Sequence, residues 1–237
     1  MSGKLSRLLS IGFIGVVLAG CAAQPTNFSS IKTLTPSVDK EKTIALMPID
    51  VQLSLLTASG VEEPKAEWTK SAEQYMRSAL KDPTVANGIN FVDYVQPEKG
   101  DADFDALNDL EKLHGAVGEA ILLHKYIVPL QSKKDKFDWS LGTTAQKLKA
   151  RTDANYALFL YARDSYSSAG RVAVQVIAAA LTGYMPAGGS QVGFASLVDL
   201  TNGDIVWFNH LNRAGGDLRT AEPAKKSVEM LLTGMPR

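Results

Sequence analysis

Apolar and polar positions fall into three regimes along the chain. Leu8 to Leu18 is an almost unbroken apolar run, residues 22–42 show no period, and from Thr43 onward the pattern becomes periodic. TIALMPID opens this third part, and the short, almost wholly apolar run from Ile44 to Pro48 predicts a strand buried on both faces. A surface loop with Gly60 and Pro64 is expected next. A helix then starts near Lys65, because Trp68, Ala72, Tyr75, Met76, Ala79 and Leu80 recur every three or four positions and Asp82-Pro83 ends the stripe. INFVDYV predicts a second strand with Ile89, Phe91 and Val95 facing the core. A longer helix follows from about Asp103 to His124. Leu107, Leu110, Leu113, Val117, Ala120 and Ile121 form its buried face, and Gly115 and Gly118 permit close approach of another element.

Pro129 and QSKKDKFDW read as a loop, and a short helix, TTAQKLKART, leads into NYALFLYAR, whose apolar density predicts a central strand. RVAVQVIAAALTG fits strand or helix by periodicity, and its length and alanines favour a helix. Asn202-Gly203 between two apolar runs predicts a hairpin with a two-residue type I′ turn. That turn sets Leu200 opposite Ile205, Val198 opposite Trp207, Phe194 opposite Leu211, Leu197 opposite Phe208 and Ala195 opposite His210. Ala221 to Leu232 supply a closing amphipathic helix. The expected fold is therefore a single α/β domain over residues 43–237: a small mixed sheet of about four or five strands with a late hairpin, packed with helices.

The first apolar run follows Lys4 and Arg7 and ends in Leu18-Ala19-Gly20, the layout of a secretory signal, and is too short for a membrane span, which needs about 20 apolar residues. LAGC, residues 18–21, resembles the bacterial lipobox, in which the signal is cut before a cysteine whose thiol is acylated. The resemblance implies a signal peptide over 1–20, lipidation at Cys21 and a tether over 21–42, rich in Ser, Thr, Pro and charge. Cys21 is the only cysteine, so acylation also removes a stray thiol and the domain is expected to hold no disulfide. Ala22 after it implies, by resemblance to lipoprotein sorting, the periplasmic face of the outer membrane.

Composition narrows the partners. Hydrophobic residues make up 45% and charged ones 21%, with 25 basic and 25 acidic side chains. Signal cleavage removes two basic residues, so no basic excess remains to attract nucleic acid. A chain of this length is expected to form one domain with a substantial core.

With the opening IALMPID strand, the YALFLYARD strand and the FASLVDLTNGDIVWFN hairpin, the chain resembles a broad group of bacterial envelope lipoproteins. The group includes the curli-secretion lipoproteins, the lipoprotein activators of penicillin-binding proteins and the amino-terminal domain of the Tol translocation protein. The resemblance is closer still to uncharacterised proteobacterial lipoproteins carrying RDSYSSAGR-like and VGFASLVDL-like segments. It implies a small mixed sheet with helices on it, and informs location more than chemistry.

No G-x-S-x-G elbow, H-E-x-x-H or Walker A sequence occurs, and PAGGSQVG lacks the lysine that would reach phosphates. His114 and His124 lie about 80° apart on one expected helix and ten positions along it, too distant to share a metal, so each is expected at the edge of the buried stripe. No cofactor or metal is expected. The most polar cluster beside a strong strand is YARDSYSSAGR, with Arg163, Asp164, Ser165, Ser167, Ser168 and Arg171. It reads as a strand end turning into a helix, capped by Asp164 or Ser168 with Arg163 paired to a carboxylate, or as an anion or nucleophile site. Two functions follow. One is a non-catalytic, lipid-anchored protein binding an envelope partner or further copies of itself. The other is a periplasmic hydrolase or small-ligand binder using Arg163 to Ser168. The candidate interaction residues are Arg163, Asp164, Ser165, Arg171, Val172, Val176 and Ala180, the last three in a segment, 172–183, that is either an interface or a core helix.

Overall fold

The computed structural model describes residues 28–30, 43–86, 88–134, 136–184, 188–213 and 216–236. Cys21, the signal peptide and most of the expected tether lie outside the described residues. The elements in chain order are β1 (Phe28–Ser30), β2 (Thr43–Leu46), β3 (Asp50–Leu56), β4 (Glu62–Pro64), α1 (Ala66–Lys81) and α2 (Pro83–Ala86). There follow β5 (Asn90–Asp93), α3 (Phe104–Ile121), α4 (Ala145–Thr152), β6 (Tyr156–Ser167), α5 (Ala169–Thr182), β7 (Gln191–Asp199), β8 (Ile205–Arg213) and α6 (Ala221–Leu231).

The architecture is the expected mixed α/β domain. Its sheet runs β1-β8-β7-β6-β2-β5, with β3 beside β6 and β4 outside β3. β6 is the axis. Its first residues pair in parallel with β2 and its remaining length with β3, while β7 runs antiparallel along its other side. Leu158, Leu160 and Ala162 of β6 face one way, into a core shared with Met76 and Leu80 of α1 and Val228 and Leu231 of α6. Ala157, Phe159 and Tyr161 face the other way, against Leu107 and Leu110 of α3 and Leu148 of α4. Burial on both sides accounts for the unbroken apolar run in the sequence.

The sheet is larger than the sequence suggested. DVQLSLL, expected within a surface loop, is β3: Val51 and Leu53 are buried while Asp50 and Gln52 face out, the alternation of a half-covered strand. β1 lies inside the expected tether and pairs with β8. β6 runs on to Ser167, so Arg163, Asp164 and Ser165 lie within the strand rather than at a strand-to-helix turn.

Two packing expectations are corrected. On α3 the buried positions are Leu107, Leu110, His114, Gly115, Gly118 and Ile121, whereas Leu113 is 42% exposed and Val117 and Ala120 are half-buried. The helix is turned so that its glycines meet the sheet: a Cβ on Gly118 would lie 2.0 Å from the Phe194 ring. Val95, expected in the core, points to solvent beyond the end of β5.

The hairpin exists, with a register one residue away from that expected. Leu197 pairs with Trp207, Phe194 with His210 and Gly193 with Leu211, and the register shifts again between Leu197 and Val198. The connection is a four-residue loop, Leu200 to Gly203, closed by Asp199 N–H donating to Asp204 O at 2.9 Å. Gly203 has φ +82°, while Asn202 is not left-handed, so the turn is not type I′.

Candidate functional site

The period-2 alternation of β6 divides the polar cluster between two faces of the sheet. Arg163 and Ser165 continue the face of Phe159 and Tyr161, the one that carries α3. Arg163 Nη1 pairs with Asp50 Oδ1 at 2.8 Å and donates to Asp50 O at 3.0 Å, while its guanidinium lies 3.9 Å from the Tyr161 ring centre. This is the carboxylate partner expected for Arg163, in a pair open enough to water to contribute no more than about 1 kcal/mol. Ser165 Oγ accepts from Ser190 N–H at 3.1 Å, which ties the start of β7 to the end of β6. Both residues border a shallow dent of about 80 Å³ lined also by Gln52, Ser54, Glu62, Asp164, Ser190 and Val192, with no histidine among its described lining residues.

Asp164 points through the sheet to the opposite face, where it is 4% exposed. Its Oδ2 accepts from Gln191 Nε2 at 2.9 Å, from Leu218 N–H at 3.2 Å and from the Tyr166 hydroxyl. Gln191 Oε1 in turn accepts from Arg213 Nε at 2.7 Å, and Arg213 Nη2 donates to Ser227 Oγ at 2.6 Å. Burial pushes the Asp164 carboxyl above its ordinary range, and burial with the bond to Asp164 pushes the Tyr166 phenol up as well. The Arg219 guanidinium, held by Asp217 at 2.9 Å, covers the Tyr166 ring at 3.7 Å. Asp164 is therefore not a helix cap. It binds the segment before α6 to the sheet.

Ser168 is the cap: its Oγ accepts from Arg171 N–H at 3.2 Å and starts α5. Along α5 the only buried side chain is that of Gln175. Val172, Val174, Val176, Ile177 and Leu181 are exposed, from 47% at Val172 to 80% at Leu181, and Ala180 faces solvent with them. The segment is therefore not a core helix. It stands at the tip of the β6–β7 connection and carries its apolar surface outward.

Two groups on α3 differ from what the sequence suggested, His114 by its burial and Glu111 by not having been singled out. His114, expected at the edge of the buried stripe, is 2% exposed, stacks on Phe159 and shares a hydrogen bond of 2.9 Å between Nε2 and Ser196 Oγ. Burial lowers its pKa to about 3, so it stays neutral. Glu111 on α3 borders a depression of about 300 Å³ with Asp50, Asn108, Lys112 and His114; burial, then the Asp50 charge, raise its pKa to about 7. Its Oε1 is buried without a hydrogen-bond partner. The signal for Glu111 was its place on the inward side of the Leu107–Leu110 stripe. Among the described residues no three His, Cys, Asp or Glu side chains are grouped to hold a metal, and no helix is long and apolar enough to cross a membrane.

No family model matches the chain, and no curated protein matches it. Solved structures to which it is similar include the PelC dodecamer from Paraburkholderia phytofirmans, at 12% identity and a TM-score of 0.39, covering 90% of this chain and 100% of that one. Lipoprotein GNA1162 from Neisseria meningitidis is 12% identical over 72% of this chain and 80% of that one, with a TM-score of 0.29. The LpoB C-terminal domain from Salmonella enterica is 14% identical over 75% of this chain and 86% of that one, with a TM-score of 0.27. Likenesses of this size are no basis for assigning a function.

Proposed function

We propose that the chain is a lipid-anchored envelope protein that works by binding rather than catalysis, held through Cys21 at the periplasmic face of the outer membrane. It acts as a protein-binding or assembly component, with an envelope protein or a further copy of itself as partner. The observation that carries this reading is the division of the polar cluster by strand alternation. A hydroxyl nucleophile needs a base within hydrogen-bond reach. Although Asp164 lines the dent, its carboxyl group is turned to the other face and held by Gln191, Leu218 and Tyr166, no histidine is among the described residues bordering the dent, and the Ser167 hydroxyl donates to Gly188 O. What remains on the α3 side is a shallow polar surface, with Gln52 exposed on β3 next to Arg163 on β6. Such a surface suits protein contact better than the enclosure of a small ligand.

Photocrosslinking in cells tests the reading. A benzoylphenylalanine in place of Gln52 is expected to give a discrete protein adduct, identified by mass spectrometry, that the same probe at exposed Lys70 on α1 does not give. Equal, diffuse labelling at both positions would overturn it, as would ester or peptide hydrolysis by the purified chain that Ser165→Ala abolishes.

A further inference from the structure

The exposed helix α5 and the amino-terminal end of β1 lie toward the same end of the sheet. Phe28 pairs with Asn209, Asn209 with Ala195, and Ala195 with Leu160, so these four residues share one rung across β1, β8, β7 and β6. Each neighbouring pair is antiparallel, so β1 runs opposite to β6. The amino-terminal end of β1, Phe28, therefore faces the end at which β6 stops. Ser167, the last residue of β6, lies seven positions beyond the shared rung, about 23 Å along the strand. Cys21 lies seven positions before Phe28, a span of at most about 24 Å. An acyl chain on Cys21 thus has the reach to meet a membrane at the level where α5 begins.

The surface of α5 fits such a neighbour. At 100° per residue, its exposed Val172, Val174, Val176, Ile177 and Leu181 cover an arc of about 200°, and the buried Gln175 lies in the remaining arc. One packed protein element covers an apolar stripe of roughly 100°. A lipid phase wets the whole arc. The helix has 14 residues, about 21 Å, too short to cross a bilayer, and its one charge, Arg171, is in the turn beside the sheet. We infer that α5 beds into the lipid surface that holds Cys21, so that the domain rests on the bilayer at two points and turns its other end to the periplasm. The inference rests on the reading of Cys21 as acylated, and is independent of the partner surface around Gln52.

The test uses the acylated full-length product extracted from bacterial membranes and reconstituted into phosphatidylethanolamine–phosphatidylglycerol vesicles. Because Cys21 is the only cysteine, Val176→Cys supplies a single free thiol for a nitrobenzoxadiazole fluorophore. The expected result is blue-shifted emission, quenched several-fold by spin-labelled lipids, while the same label at Gln52→Cys is not quenched. A blue shift without lipid quenching, together with crosslinking of copies through Val176→Cys, would place α5 against a second copy and overturn the inference. Unshifted emission would leave α5 in water and overturn it too. Maleimide reactivity of Cys21 in the unsubstituted protein reads the anchor separately, and if it reacts, quenching on added vesicles still decides the position of α5.

Discussion

Gly118 and Phe194 set the spacing between α3 and the sheet. Because a Cβ at Gly118 would fall within 2.0 Å of the ring, Gly118→Ala is expected to destabilise the domain by about 1–3 kcal/mol, read as a Tm lower by several degrees. The glycines were legible as a close-approach signal. His114 was not, because a histidine beside an apolar stripe looks like an edge residue until its partner Ser196, 82 positions away on β7, is known. Its burial has a pH consequence. The folded state keeps His114 neutral down to about pH 3, while the unfolded chain takes up the proton near 6.5, so stability is present above 6.5 and is lost as pH falls from there toward 3. Glu111 acts in the opposite sense. Folded, it keeps its proton up to about 7, against 4.5 when unfolded, so its contribution is present below 4.5 and is lost as pH rises through 7. Glu111→Gln should therefore raise Tm by a few degrees at pH 8 and by less at pH 5, measured by thermal melts of both proteins. An equal change at both pH values would count against the raised pKa.

At the scale of elements, periodicity identified α1, the β6 strand and the closing helix because each carries a strong one-sided or continuous apolar pattern. It misplaced the hairpin register because side-chain hydrogen bonds lengthen the turn. Asp199 Oδ1 accepts from Thr201 N–H at 2.8 Å and Asn202 Oδ1 from Asp204 N–H at 2.9 Å. These two Asx turns make a four-residue loop where the Asn-Gly pair alone suggested two. Gly203 remains indispensable for a different reason than a type I′ turn: φ is +82° and a Cβ would lie 2.0 Å from Gly142 O. Gly203→Val should lower Tm markedly, and an unchanged melting curve would contradict the close approach. β3 escaped notice because its alternation sits between Pro48 and Gly60, in a stretch that reads as loop by its breakers. On α5, replacing Val176 and Ala180 together with lysine should leave Tm within a degree or two, since both face solvent. A substantial loss of stability would return the helix to the core.

Among the described residues, a sheet covered on both faces is joined to the apolar, exposed helix α5 at the end toward which β1 begins. A signal and its cysteine are local patterns, so the expectation of an envelope location comes from the sequence alone, on residues outside the described ones. The candidate site was half legible: Arg163, Ser165 and Asp164 were found, but their assignment to opposite faces depends on β6 continuing as a strand, which the polar residues concealed. Cys21→Ser should yield an uncleaved or soluble periplasmic form, seen by fractionation. The most direct measurement is the intact mass of the protein extracted from membranes. The mass expected is that of a chain beginning at Cys21 and carrying a diacylglyceryl group and an amide-linked acyl chain. A mature chain with a free Cys21 thiol, or one cut elsewhere, would contradict it.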